Sequence, residues 1–162
     1  MLAAMLFTAG VANAGLYQFQ LTGDYTASWK LDANPIVESF ERDVGFQVID
    51  VAGDFAGASG GLADLTFFHV DAGGGLLIED FYAFATLLVS DGPQLYTGKE
   101  GSPLFSLGTF ALTEFGGDGR YSLTITDLDA LPPVDVPEPA SVALLLGGLG
   151  LLAAARKRRS AT

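Results

Sequence analysis

The chain has no cysteine among its 162 residues. That excludes a disulfide framework, thiolate nucleophiles and thiolate metal ligands. It has one histidine, His69. Zinc sites and nucleophilic triads need His with converging partners, and the sequence around His69 shows none, so a structural His is expected. Cations are scarce, 8 Lys and Arg against 19 Asp and Glu, for a net charge of −11. A surface of that sign repels nucleic acid and anionic lipid, so no nucleic-acid partner is expected. The nucleophile-elbow pattern G-x-S-x-G is missing; Gly57-Ala-Ser59-Gly-Gly61 has the wrong offset and reads as a flexible loop. The calcium patterns D-x-[DN]-x-[DN]-G and G-G-x-G-x-D are missing too. No uninterrupted apolar run reaches the ~20 residues that span a bilayer core.

What is present is concentrated at the ends. Ala140 to Ala155 is 16 residues without a charge, rich in Leu, Ala and Gly. As a helix it would be ~24 Å long at ~1.5 Å per residue, short of a ~30 Å hydrocarbon core. Pro139 and Ser141 favour a helix start near Ala140. Arg156, Lys157, Arg158 and Arg159 follow at once. By the positive-inside rule they stay cytoplasmic, and their long side chains snorkel to ease the length mismatch. The reading is a transmembrane helix over 140–155 with a basic cytoplasmic tail over 156–162.

Pro137-Glu138-Pro139, the short apolar helix and the Arg-rich end together resemble the PEP-CTERM sorting signal of Gram-negative bacteria. The resemblance spans about Val136 to Arg159 and includes all three parts of the signal in order. It implies that Pro137, Glu138 and Pro139 are recognised by exosortase, a membrane transpeptidase, with Arg156 to Arg159 as the stop. It also implies removal of the tail, transfer to the cell surface or beyond, and association with exopolysaccharide or biofilm.

The N-terminus agrees with export. Met1 to Val11 is almost entirely apolar or small, and Ala12-Asn13-Ala14 is an A-x-A cleavage pattern. Residues 1–14 read as a signal peptide with cleavage after Ala14. No Lys or Arg precedes Lys30, so the basic n-region is missing and a start codon upstream is expected.

Between the signals, residues 15–131 make one domain of 117 residues, enough to bury a core without staples. Four cations and 17 acids give it a charge of −13. Its patterning is that of strands. Tyr25, Ala27, Trp29 and Leu31 alternate with polar residues and should share a core face. Val44 to Phe55 reads as a strand broken by a turn or bulge near Gly53. Leu62–Val70 and Leu76–Ile78 flank Asp71-Ala-Gly-Gly-Gly75 as a hairpin. Phe81 to Val89 reads as a central strand buried on both faces, ended by Asp91-Gly-Pro93. Leu104–Thr113 and Arg120–Thr126 flank Glu114-Phe-Gly-Gly-Asp-Gly119 as a second hairpin. The expected fold is all-β, an antiparallel β-sandwich of jelly-roll type. Residues 132–139 form an extended linker with the Pro-Glu-Pro motif.

Candidate chemistry is thin. Glu79-Asp80 and Asp127 with Asp129 are paired carboxylates, a pattern that adjacent solvated acids share with glycosidases. No catalytic residue, metal ligand or cofactor is assigned. Calcium is the one ion singled out for testing, because Asp24, Asp32, Asp50, Asp54, Asp71, Asp91 and Asp118 fall near turns. Two functions stay open. One is a non-enzymatic exported surface or matrix protein. The other is a carbohydrate-binding module, calcium-assisted, whose sugar platform would need Trp29 or the tyrosines exposed.

Overall fold

The computed structural model describes residues 15–130. The signal peptide over 1–14, the linker and Pro-Glu-Pro motif over 132–139, the helix over 140–155 and the basic tail over 156–162 lie outside the described residues. Within them the chain forms β1 (Leu16–Gly23), β2 (Ala27–Asp32), β3 (Ser39–Glu41), β4 (Gly45–Phe55), β5 (Leu62–Phe68), β6 (Leu76–Asp80), β7 (Ala85–Asp91), β8 (Tyr96–Lys99), β9 (Ser102–Phe105), β10 (Gly108–Glu114) and β11 (Arg120–Asp127). A single 3-10 turn, Val70–Ala72, joins β5 to β6. Among the described residues no helix is long and apolar enough to cross a membrane.

The all-β antiparallel expectation holds, but the sheet closes on itself where a sandwich was expected. Its order is β2-β1-β11-β10-β7-β6-β5-β4, and β2 pairs back onto β4. Ala27 meets Phe55, Ser28 meets Asp54 and Trp29 meets Gly53. Eight strands therefore make a barrel-like sheet. β3 pairs with the first residues of β4, Gly45 to Gln47, on the edge whose last residues meet β2, and β8 with β9 forms a separate hairpin. Alternation of apolar and polar residues looks the same in a sandwich and in a barrel. The difference lies in one long-range pairing, which removes two sheet edges.

The core face is as the alternation demanded. Ala27 and Trp29 on β2 and Tyr121, Leu123 and Ile125 on β11 all point inward. β1, next to the signal segment, was not anticipated as a strand. It pairs with both β2 and β11 and contributes Phe19 and Leu21 to the interior. β4 runs through Gly53, and its bulge falls between Val48 and Val51, where Asp50 takes a left-handed φ of 56°. Gly53 has another duty. A Cβ there would sit 2.7 Å from the Ser28 carbonyl oxygen, so the closing pair needs glycine.

Two expected strands are corrected. Phe81 to Val89 is no doubly buried strand. Residues 81–84 turn the chain, Phe84 stands 86% exposed with φ 51°, and β7 buries only one face. The Asp80 carboxylate accepts the N–H groups of Tyr82 and Ala83 and so fixes that turn. Leu104 to Thr113 divides into β9 and β10, which pair with different partners.

The β8–β9 hairpin plugs one end of the barrel. Phe105 meets the rings of Phe19 and Phe67 edge-on, each at 4.8 Å, and Tyr96 meets Phe46 at 4.9 Å. Strand direction fixes which turns lie there. The β3–β4 and β5–β6 turns share one end, and the β1–β2, β4–β5 and β6–β7 turns share the other.

Candidate functional site

Three connections bring chemistry together at the end where the β3–β4 and β5–β6 turns lie. Asp43 sits in the tight turn between β3 and β4, with a left-handed φ of 59°. His69 leads into the 3-10 turn after β5. Glu100 sits at the tip between β8 and β9. One ligand atom from each lies within 4.8 Å of the other two. Among the described residues this is the one group of three or more His, Asp and Glu side chains so placed.

The backbone explains the convergence. The His69 N–H donates to the Val44 carbonyl at 2.8 Å, tying the β5–β6 connection to the β3–β4 turn. The Asp71 N–H donates to His69 Nδ1 at 3.2 Å, and an Asp71 carboxylate oxygen lies 3.5 Å from the same nitrogen. The imidazole is thus held from one side, with its side chain 20% exposed. Gly101 lets the hairpin tip approach closely, since a Cβ there would sit 3.0 Å from the Phe40 ring.

Glu100 is 8% exposed. The Tyr96 hydroxyl donates to it at 3.4 Å. Burial, then the charge of Glu100 and that hydrogen bond, push the Tyr96 hydroxyl well above the usual tyrosine range, with Asp43 adding to the effect. Among the described residues no Lys or Arg nitrogen lies within 4.0 Å of either carboxylate. Arg42, Lys99 and Phe40 line the adjoining cleft of about 480 Å³.

The remaining candidates fall elsewhere. None of the seven turn aspartates singled out for calcium belongs to the cluster. Asp24 accepts the Arg120 N–H at 2.9 Å, and an Asp64 carboxylate oxygen accepts the Asp50 N–H at 3.0 Å. Ser59 and Asp80 meet, but at the opposite end from His69, so no Ser-His-Asp triad forms from them. The loop expected to be flexible is instead pinned there: Ser59 N and Oγ donate to one Asp80 oxygen at 2.6 and 2.7 Å. In the second acid pair, Asp127 accepts the Asp129 N–H and Asp129 accepts the Leu16 N–H, so both order the barrel's strand ends. Trp29 is 2% exposed and stacks on Phe19, which removes it as a sugar platform. Asp43 and Glu100 were not picked out from the sequence. Their only local mark is the neighbouring glycines Gly45, Gly98 and Gly101, a signal shared with other turns here such as β5–β6 and β10–β11.

The sorting residues Pro137, Glu138 and Pro139, the stop Arg156 to Arg159 and the cleavage residues Ala12 and Ala14 lie outside the described residues. Neither the curated proteins nor the solved structures offer a match to the chain. Residues 135–159 match the family model described as PEP-CTERM protein-sorting motif. The chain carries a PEP-CTERM sorting signal, which implies export and processing by exosortase, a membrane enzyme.

Proposed function

We propose that the mature protein is a non-enzymatic component of the cell surface or extracellular matrix, delivered as an exosortase substrate and working among exopolysaccharide. The observation that carries this reading is the sorting motif over residues 135–159. It is supported by the order of parts along the chain. A signal-like segment comes first, one folded acidic domain second, and a Pro-Glu-Pro motif with apolar run and basic end last. In this reading 140–155 is a temporary anchor, Arg156 to Arg159 hold its end in the cytoplasm, and exosortase acts at Pro137-Glu138-Pro139. The domain of −13 charge is the cargo, its surface suited to staying soluble in a crowded matrix.

Glu138→Ala tests the route. Full-length protein should accumulate in the inner membrane, while the unsubstituted chain yields a shorter species outside the cell. The intact mass of that species should place its ends near Gly15 and near the motif. Normal release of the Glu138→Ala chain would sink the reading.

A further inference from the structure

We propose that Asp43, His69 and Glu100 form a binding site for a divalent transition-metal ion at the plugged end of the barrel. The first argument is electrostatic. Glu100 is 8% exposed, and its hydrogen-bond donor is a tyrosine hydroxyl at the long distance of 3.4 Å. Burying a carboxylate and setting a second carboxylate beside it both cost free energy unless a cation compensates them. Arg42 and Lys99 border the cleft, yet neither places a nitrogen within 4.0 Å of the pair. A bound cation offsets both costs.

The second argument is the donor set. One imidazole nitrogen and two carboxylate oxygens suit zinc and its neighbours, whereas calcium and magnesium take oxygen alone. Metal–ligand bonds of about 2.0–2.2 Å bring first-shell atoms about 3–4 Å apart. The observed separations of up to 4.8 Å therefore need only a small closure. Asp43, on an exposed turn, can supply it. His69 is already held at Nδ1, which accepts the Asp71 N–H at 3.2 Å, and an Asp71 carboxylate oxygen lies 3.5 Å from the same nitrogen. Three protein ligands leave a coordination position open toward the cleft.

The test uses the untagged full chain in detergent, stripped with chelator and titrated with zinc. Because the chain has one histidine, its imidazole proton signals need no assignment. One equivalent of zinc should shift them, and calorimetry should give a stoichiometry of one. His69→Ala and Glu100→Gln should each weaken binding by more than about tenfold, since even loss of an outer-sphere partner costs about 10- to 100-fold. Asp43→Asn, on an exposed turn, serves the same purpose if Glu100→Gln folds poorly. Calcium at the same concentration should leave the imidazole signals in place. Absence of saturable zinc binding, zinc binding that survives the substitutions, or calcium binding at the same residues with equal affinity would each overturn the assignment.

Discussion

Asp80 shows what one buried acid does in this chain. It is 2% exposed and accepts four hydrogen bonds, from Ser59 N and Oγ and from the N–H groups of Tyr82 and Ala83. Its carboxyl joins two turns at one end of the barrel. The Ser59 N–H, followed by the Ser59 hydroxyl, holds its pKa down to about 2, against an ordinary 3.8. A pKa depressed in the folded state means that the charged form stabilises the fold. That contribution is complete above about pH 4 and is lost as pH falls through about 2. Asparagine offers one acceptor oxygen and turns an amide N–H₂ toward donors. Asp80→Asn should therefore lower the thermal midpoint at pH 7, and the gap to the parent chain should narrow as pH falls toward 2. A gap that stays constant across that range would mean the charge is not what the turns require. In sequence, Glu79-Asp80 is an ordinary acidic pair. Nothing local distinguishes the member that will face Ser59, 21 positions away.

At the scale of elements, the legible parts were those set by neighbours in sequence. Gly-rich and Asp-rich stretches marked the β5–β6 and β10–β11 turns, and alternation marked the inward faces of β2 and β11. The boundaries that failed depend on partners. Leu104 to Thr113 is apolar throughout enough to read as one strand, yet β9 turns back on β8 while β10 joins β11. The hairpin so formed is a stopper, and its hold on the barrel is Phe105. That ring is buried against Phe19, Phe46 and Phe67, while Leu104 beside it faces out. Phe105→Ala should destabilise the domain by about 3–5 kcal/mol, the range for a large aromatic removed from a packed core. Leu104→Ala should stay within about 0.5 kcal/mol, as for other surface changes. Urea unfolding of the two variants checks the contrast. Equal effects would show that the hairpin rests on the barrel without being packed into it.

The whole molecule depends on closure, and closure is also what the sequence hid. The same applies to the cluster at the plugged end. Asp43, His69 and Glu100 come from three separate connections and meet only because β4, β5 and the plugging hairpin share one end of a closed sheet. The seam itself is short. β2 and β4 pair over three residues each and then diverge, leaving a groove of about 550 Å³ lined by Lys30, Leu31, Val48 and Asp50 among others. Trp29 sits at the last closing pair, 2% exposed, stacked at 5.2 Å on Phe19 and 5.8 Å on Phe55. Its indole N–H has no hydrogen-bond partner among the described residues, so stacking and burial must outweigh that loss. Opposite it, Gly53 has no room for a side chain against Ser28 and the Phe55 ring. Gly53→Ala should thus push the seam apart, costing about 1–3 kcal/mol, as overpacking does. The chain's one tryptophan reports the event directly. Its emission should move to longer wavelength and become open to a soluble quencher, while far-ultraviolet circular dichroism keeps its β character because the other seven pairings of the closed sheet are untouched. Unchanged emission and an unchanged unfolding midpoint would mean that β2 and β4 absorb a methyl group without parting, and that closure of the barrel does not depend on this glycine.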